Sequence, residues 1–328
     1  MSVAMERLGA SPNDEVEMVS RAVLRPTAPF DFKQSLTFMR NSGANDLNDN
    51  FGPEDSWLER PVSLNGQPCL VRLTNNIEAA QTLNLLLTVR ASDDSDHVPD
   101  AKVIEAAAEW ANRRFFLDVD MSAVREMLTV NDYGEGLVNK FWPSRPVNLP
   151  GAWEGLLKTV ISVQIYPGLA QRLQRGLLDL YGEAVRFGGQ AYRLFPTPAK
   201  LAAIQPDELL PMKFSRQKAS YLPGIAKMIL AEPHKYDWET LRQLPGEEAV
   251  AILDDLPGVG AWTASYCAMR ALPHLDVITK EEGLRKALAS AYDRRAIISP
   301  AETEQLMAVF APYRTFACYY TYMSMYNA

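Results

Sequence analysis

Residues 256–264 read LPGVGAWTA, and this short stretch decides how the second half of the chain folds. Before it, the apolar positions of residues 247–255 repeat with a helical period. Pro257 and Gly258 interrupt that helix, and a second helical pattern begins near Ala261. The sequence therefore predicts two helices joined by a tight hairpin.

The hairpin carries two glycines, which accept backbone conformations that other residues resist. Gly258 and Gly260 can adopt positive φ and let another backbone come close. The first amides of the following helix have no partner inside the helix, so its N-terminus suits an anion such as a DNA phosphate. An ordinary αα-hairpin with a glycine turn explains the same residues and stays open at this point.

Two adjacent carboxylates follow the second hairpin helix. Residues 280–285 read KEEGLR, with Glu281 and Glu282 at the start of a further helical pattern. Thr279 and Glu282 also match the S/T-x-x-E capping box, with Thr279 as the N-cap and Glu282 at the third helical position. Because the helix dipole also favours acidic residues in a first turn, these carboxylates fit either helix capping or chemistry at a site.

Four further motifs occur in a fixed order along the chain. They are WEGLLKTVISVQ at 153–164, FPTP at 195–198, SRQKA at 215–219 and PYR at 312–314. Together with residues 256–288, this series resembles the helix-hairpin-helix (HhH-GPD) DNA glycosylase superfamily, and most closely its 3-methyladenine DNA glycosylase II (AlkA-like) branch. The resemblance covers residues 150–328 well and residues 28–150 loosely. An ordered set of motifs is more specific than any one of them.

The resemblance implies an α+β fold class, with a mostly α-helical helix-hairpin-helix glycosylase core and a small N-terminal antiparallel β domain of TBP-like form. The residues themselves agree with this. Asn65-Gly66 stands between two apolar runs and predicts a β-hairpin with a type I′ turn. Residues 34–39 and 82–89 predict further strands, and from residue 102 onward the pattern is helical.

Three regions are expected along the chain. Residues 1–27 predict a flexible N-terminus, residues 28–95 a small antiparallel sheet domain, and residues 96–328 an all-helical glycosylase region with its hairpin at 247–272. Within the helical region, Pro223 lies inside a helical pattern that it should kink or split.

The composition excludes several classes of protein. The chain has 328 residues, of which 47% are hydrophobic and 22% charged, as in ordinary globular proteins. No apolar run approaches the ~20 residues of a membrane helix. The three cysteines lie far apart, which favours a reducing compartment over a disulfide framework or a metal cluster. We expect a monomer in a bacterial-type cytoplasm, associated with the nucleoid when it is on DNA.

The net charge of −7 is unevenly distributed. Residues 1–150 contain 14 Lys and Arg against 22 Asp and Glu, whereas residues 151–328 contain 19 against 18. The acidity is therefore confined to the half that lies outside the predicted DNA-binding region. The other half is nearly neutral and can present a basic face to phosphate.

The resemblance implies a role for one of the two carboxylates. In the family, an Asp just before the helix that follows the hairpin stabilises the positive charge developing on the sugar and orients water. Alignment through Gly283-Leu284-Arg285 places Glu281 at that position, one methylene longer than the family residue. A register shifted by one residue would place Glu282 there instead.

The resemblance also implies an aromatic base pocket. Glycosylases that cut the strand carry a lysine at the position of Trp262 and form a Schiff base, which tryptophan cannot do, so a monofunctional hydrolase is implied. Tyr266 lies four residues on, on the same helical face, and Tyr322 aligns with another pocket aromatic. Such rings would favour a methylated purine with its delocalised positive charge, although core packing explains Tyr266 equally well.

Further residues are implied to contact DNA or a structural ion. Gln164 and Ile165 are both implied to contact DNA. Ile165 aligns with the apolar wedge that relatives insert into the gap left by a flipped base. For Ile165, packing at a helix end is the alternative. Around the hairpin, phosphate contacts are implied at Gly258, Gly260 and Thr263, and a structural Na⁺ or K⁺ at the backbone carbonyls of Asp254, Leu256 and Gly258.

These implications predict a monofunctional DNA glycosylase of base-excision repair. It would flip an alkylated purine, 3-methyladenine or 7-methylguanine, out of damaged double-stranded DNA and hydrolyse its N-glycosidic bond, with no cofactor for catalysis. Two alternatives stay open. One is a damaged-DNA-binding relative that has lost catalysis, because Glu replaces the family Asp. The other is a glycosylase for another lesion, with a pocket altered at Glu282.

Overall fold

The chain forms two compact units, each made of two stretches. The computed structural model describes residues 4–8, 18–41, 47–77 and 83–326. The sheet unit comprises Met1–Val119 and Gln174–Thr197, and the helical unit comprises Asp120–Leu173 and Pro198–Ala328. The fold class is α+β, as predicted, with an antiparallel sheet in one unit and a helix-hairpin-helix core in the other.

The sheet unit is built on an antiparallel sheet with spatial order β1-β2-β6-β5-β4-β3. Its strands are β1 (Ala4–Arg7), β2 (Val19–Arg25), β3 (Asn50–Phe51), β4 (Trp57–Leu64), β5 (Gln67–Ile77) and β6 (Leu83–Ala91). The β4–β5 turn is the predicted pair Asn65 and Gly66, with φ of 50° and 79°, as a type I′ turn requires. Helix α2 (Ala101–Phe115) packs against β2, β4 and β6.

The prediction of a flexible N-terminus over residues 1–27 is wrong for two of its segments. Strand β2 pairs with β6 from Val19 to Leu24, and β1 pairs with β2. Val19, Ala22 and Leu24 are each at most 1% exposed. Burial of these apolar side chains stabilises the strand, although the surrounding residues are polar in sequence. Residues 9–17 lie outside the described part of the chain.

The predicted strand over residues 34–39 is also wrong, because these residues belong to helix α1 (Phe32–Asn41). Phe32, Ser35, Leu36 and Met39 are all buried, at 1%, 0%, 0% and 2% exposure. Their spacing of i, i+3, i+4 and i+7 is that of one helical face. The helical period therefore decides the element here.

Residues 96–328 are not all helical, in contrast to the prediction. Strands β7 (Glu183–Phe187) and β8 (Gln190–Leu194) form an antiparallel hairpin within the sheet unit. Val185, Phe187 and Leu194 bury their side chains together with Leu70 of β5. This burial draws a segment from the middle of the sequence into the N-terminal unit, so no single boundary near residue 95 separates the two units.

The helical unit places the site. Its helices are α3 (Met121–Leu128), α4 (Asp132–Phe141), α5 (Ala152–Ser162), the start of α6 (Pro167–Tyr181), α7 (Pro198–Ala202), α8 (Pro206–Leu209), α9 (Arg216–Ala231), α10 (Trp238–Gln243), α11 (Gly246–Asp254), α12 (Ala261–Arg270), α13 (Glu282–Ala291), α14 (Pro300–Met307) and α15 (Arg314–Tyr326). Helix α12 packs on both α5 and α11, and α15 packs on α4 and α13. Among the described residues, no helix is both long and apolar enough to cross a membrane.

The sequence predicted that Pro223 kinks or splits helix α9, and the helix is not split there. It runs from Arg216 to Ala231 with Pro223 inside it. Leu222, Pro223 and Ile225 are all buried. The packing of this turn holds the helix together at a residue that lacks one backbone donor.

Candidate active site

The predicted hairpin joins α11 to α12, and one glycine determines its shape. Gly258 has φ of +73°, a conformation that only glycine adopts without strain. A Cβ built on Gly258 would lie 2.1 Å from Cδ2 of Tyr221 on α9. The hairpin backbone therefore lies directly on an aromatic ring, and any side chain at residue 258 would displace it.

The N-terminus of α12 is open to an anion. Gly260 is its N-cap and makes no side-chain cap, and the ladder of the helix begins where the Ala264 amide donates to the Gly260 carbonyl at 2.9 Å. The amides before Ala264 therefore have no partner within the helix. Gly258, Gly260 and Ala261 are exposed, so a phosphate can approach these amides.

Thr263 can take part in this surface only through its backbone amide, because its side chain is buried. The prediction placed it among the phosphate contacts, but it is only 3% exposed. It lies in the first turn of α12 with its side chain facing the interior of the unit, so the predicted phosphate contact would be made by its backbone amide and not by its hydroxyl. The helical period turns residue 263 away from the surface that Gly260 and Ala261 share.

Helix α13 begins later than the capping-box interpretation predicted. Its first residue is Glu282 and its N-cap is Glu281, with φ −70° and ψ 164°. Thr279 lies outside the helix, is fully buried, and shares a hydrogen bond with the Tyr322 hydroxyl rather than capping an amide. The capping box is therefore wrong, since the helix begins only at Glu282 and the Thr279 hydroxyl bonds with Tyr322.

The carboxylate of Glu281 is held at both oxygens instead of capping its own helix. Trp262 Nε1 donates to Oε2 at 3.2 Å, and the Tyr322 hydroxyl donates to Oε1. Trp262 is the second residue of α12, so its indole connects the carboxylate to the helix that begins at the hairpin. Burial, followed by the charge of Glu281, raises the pKa of Tyr322 well above its usual range, so this hydroxyl keeps its proton.

The segment leading to Glu281 is fixed by the start of α15. Arg314 Nε donates to Asp276 Oδ1 at 2.5 Å, and its Nη1 donates to Glu304 Oε1 at 2.5 Å. The Thr315 hydroxyl donates to the His274 carbonyl at 2.7 Å. Sequence reasoning placed Arg314 only in a helix-opening motif and did not foresee these contacts. Charge-assisted bonds of this kind hold a loop without regular structure of its own.

Glu282 faces away from this arrangement. Its side chain is 64% exposed and pairs with Lys286 at 2.5 Å, one helical turn on. The hydrogen bond with Lys286 lowers the pKa of Glu282. The shifted register that would make Glu282 the central carboxylate therefore lacks geometric support, because its neighbour accepts the two aromatic donors.

The aromatic residues predicted for the pocket lie together. The rings of Trp262 and Tyr266 are stacked, with centroids 5.3 Å apart and an interplanar angle of 26°. Both side chains are half-buried, and the Arg270 guanidinium carbon lies 5.8 Å from the Tyr266 ring centroid. Trp262 and Tyr266 thus form one continuous wall, and Trp262 and Tyr322 approach Glu281 from two sides.

The predicted wedge residues lie in the loop between α5 and α6. Gln164 is exposed and has φ of +57°, which turns the chain sharply after α5. Ile165 is half-buried, whereas the next residue, Tyr166, is 61% exposed. The loop is held by Lys218, whose Nζ donates to the Ile161 carbonyl at 2.6 Å. Sequence reasoning saw Lys218 only as part of the SRQKA motif.

The chain is similar to known proteins both in sequence and in structure. No family model matches the chain. It is 27% identical over 192 residues to a DNA-3-methyladenine glycosylase of Bacillus subtilis, covering 58% of this chain and 61% of that protein. It is 28% identical over 188 residues to DNA-3-methyladenine glycosylase 2 of Escherichia coli, covering 56% and 62%. The chain thus spans about three-fifths of these relatives.

The solved 3-methyladenine DNA-glycosylase from Archaeoglobus fulgidus has the same fold, with a TM-score of 0.73 at 19% identity, over 92% of this chain and 97% of that one. The hairpin before α12 and the acidic residue before α13 are the features that the resemblance led us to expect. The chain is therefore similar in sequence to DNA-3-methyladenine glycosylases of the AlkA-like kind, and it shares its fold with a solved 3-methyladenine DNA-glycosylase.

Proposed function

We propose that the protein is a monofunctional DNA glycosylase that removes alkylated purines from duplex DNA. One observation carries the proposal: Glu281 is held by Trp262 and Tyr322 beside a helix N-terminus that is open to phosphate. The similarity to DNA-3-methyladenine glycosylases supports the same reaction. A phosphate anchor next to a carboxylate in an aromatic setting suits hydrolysis of a base that has left the helix.

In the proposed reaction, the hairpin amides bind a backbone phosphate and the damaged nucleotide rotates out of the duplex. The flipped purine lies against Trp262 and Tyr266, whose electron-rich faces favour the positive charge of a methylated base. As the N-glycosidic bond breaks, Glu281 stabilises the oxocarbenium character of the sugar and orients water. Water adds to the sugar carbon, and the base departs, leaving an abasic site.

The residue at the start of α12 supports hydrolysis without strand cleavage. Lysine nucleophiles form Schiff bases with the sugar aldehyde, but Trp262 has no amine. Its indole N–H instead donates to Glu281. We therefore expect the DNA strand to stay intact after base removal, until alkali cleaves it at the abasic site.

A structural Na⁺ or K⁺ at the hairpin fits the donor atoms present. The carbonyls of Asp254, Leu256 and Gly258 are neutral oxygens, which suit hard cations. The Leu256 carbonyl also accepts the Val259 amide at 3.0 Å, which leaves its second lone pair for an ion. Such an ion would stiffen the hairpin and add positive charge near the bound phosphate.

The range of lesions is tested with duplexes that each carry one damaged base. We expect cleavage after alkali in duplexes carrying 3-methyladenine analogues or 7-methylguanine, and none before alkali. A duplex carrying a deaminated base and one carrying an oxidised base test the alternative lesion classes. Cleavage of only those two duplexes would mean that the protein is a glycosylase for deaminated or oxidised bases and not for alkylated purines.

Replacing Glu281 with aspartate should lower the rate of base release by roughly tenfold or more. The shorter side chain withdraws its oxygens by about 1.5 Å from Trp262 Nε1 and the Tyr322 hydroxyl, which are placed for glutamate. Single-turnover release from methylated duplex DNA measures the effect. A rate that rises in Glu281→Asp would favour the alternative of a relative whose catalysis is impaired by the longer residue.

Replacing Tyr322 with phenylalanine should slow base release by roughly tenfold, because one of the two donors that orient Glu281 is lost. The matched control is Tyr320→Phe in the same helix, which loses a bond to the Ser144 carbonyl. The control should lower stability by about 1 kcal/mol and leave the rate unchanged. Single-turnover rates and thermal melts of both variants separate positioning from folding, and equal rates for both variants would contradict the role of Tyr322.

A further inference from the structure

The loop between α5 and α6 exposes an aromatic ring to which the proposed reaction assigns no role. Tyr166 is 61% exposed and follows the half-buried Ile165. Single exposed aromatic residues are common on protein surfaces, so the surroundings of the ring decide whether it has a role. Helix α6 holds the ring itself, and helix α9 holds the loop that carries it.

The ring of Tyr166 is fixed against the first turns of α6. A Cβ on Gly168 would lie 3.3 Å from Cε2 of the ring, so a larger residue there would press on the ring. Arg172 Nη2 donates to the Tyr166 hydroxyl at 3.2 Å. The Tyr166 carbonyl accepts the amides of Leu169 and Ala170 at 3.1 and 3.2 Å. A ring held before binding loses less conformational entropy on contact.

The other end of the loop is held by α9. Lys218 Nζ donates to the carbonyls of Ile161 and Val163, each at 2.6 Å, where α5 ends and its dipole favours a cation. Burial lowers the pKa of Lys218. Gln164 then takes its left-handed conformation and directs the chain outward. The loop is therefore anchored on both sides of its exposed residues.

We propose that Tyr166 stacks on the base that loses its partner when the damaged nucleotide leaves the duplex. The inference rests on the proposed function, because base flipping is what creates such an unpaired base. A planar ring beside an exposed arginine, Arg172, suits a base and its neighbouring phosphate, and base–aromatic stacking tolerates any sequence. Ile165 then fills the gap, while Tyr166 covers the orphaned base.

The test measures binding of the full chain to two duplexes by fluorescence anisotropy, one with a stable abasic-site analogue and one undamaged. Tyr166→Ala should weaken binding to the abasic duplex by roughly 5- to 100-fold. The same variant should weaken binding to the undamaged duplex by less than about twofold. Tyr166→Phe and Tyr166→Trp should stay near wild type, because the ring is retained. Val309→Ala is the control, since it shortens another exposed apolar residue, 47% exposed.

Tyr166→Leu keeps a large apolar side chain but removes the aromatic ring. Its affinity for the abasic duplex should fall as much as that of Tyr166→Ala. Equal affinity of Tyr166→Ala and wild type for the abasic duplex would overturn the proposal. Equal losses on both duplexes would also overturn it, since they indicate a general DNA contact. The binding assay does not depend on base release, so it can be read even if the protein is inactive. If wild type released no base but Tyr166→Ala still weakened binding to the abasic duplex, the result would refute the proposed function and support the stacking role.

Discussion

Replacing Glu281 with glutamine should reduce base release from methylated duplex DNA by roughly a hundredfold or more. The substitution removes the negative charge and keeps the shape. The glutamine oxygen can still accept from Trp262 Nε1, and the Tyr322 hydroxyl can turn to accept from the glutamine amide. The variant should therefore fold normally and bind an abasic duplex as wild type does. Single-turnover kinetics and anisotropy measure the two properties.

The adjacent carboxylate supplies the matched control for that experiment. Glu282→Gln removes the same charge one residue away, at a side chain that is 64% exposed and paired only with Lys286 among the contacts described. It should change the rate by less than threefold. A comparable loss of rate in both variants would mean that any negative charge near the start of α13 supports base release. Glu281 would then have no role of its own in the reaction.

Replacing Gly258 with alanine should weaken binding to duplex DNA by roughly tenfold or more and lower the melting temperature. The residue has φ of +73°, which costs an L-residue about 1–2 kcal/mol, and the added Cβ would lie 2.1 Å from the Tyr221 ring. The hairpin must therefore move away from α9, which displaces the amides that we propose to bind a DNA phosphate. Anisotropy titrations and thermal melts measure both effects.

Gly260→Ala is the internal control for the hairpin. Its φ of −107° is ordinary for any residue, and a Cβ there meets nothing within 4 Å among the described residues. Because alanine is a poorer N-cap than glycine, Gly260→Ala should lower stability by at most about 1 kcal/mol, and by less than Gly258→Ala does. Combining Gly258→Ala with Tyr221→Ala should recover part of the lost stability, because the clash disappears while the backbone cost remains. No recovery would show that the ring of Tyr221 is not what restricts residue 258.

The helical core of the fold was predictable because its signals are local. The hairpin residues 256–264 combine a proline, two glycines and flanking helical stripes within one short stretch, and the structure places the turn and both helices there. The β4–β5 turn was predictable for the same reason, since Asn65-Gly66 specifies its own backbone conformation.

The errors arose where a distant partner decides the structure. The β7–β8 hairpin had a usable local signal in Gly188-Gly189 between alternating residues, and the strong helical pattern around it concealed that signal. Strand β2 is stabilised by its pairing with β6, which the polar sequence around β2 does not reveal. The helical face of α1 was mistaken for a strand because short apolar runs fit both periods.

In the candidate site, too, the features specified by local sequence were predictable and those that depend on distant residues were not. The position of Glu281 could be inferred from its place before a helix, and the positions of Trp262 and Tyr322 from the resemblance. The two hydrogen bonds that join them could not, because Tyr322 lies 41 residues from Glu281 in sequence. The competing capping-box motif failed for the same reason, as Thr279 is engaged by Tyr322 rather than by the nearby helix.

We propose that Glu281 supports hydrolysis of the N-glycosidic bond of alkylated purines, and one measurement tests this role most directly. Wild type and Glu281→Gln are incubated with methylated duplex DNA, and the released bases are identified by chromatography. We expect free 3-methyladenine or 7-methylguanine from wild type, almost none from Glu281→Gln, and DNA strands that break only after alkali. Release of neither base by wild type, or equal release by both proteins, would contradict the account.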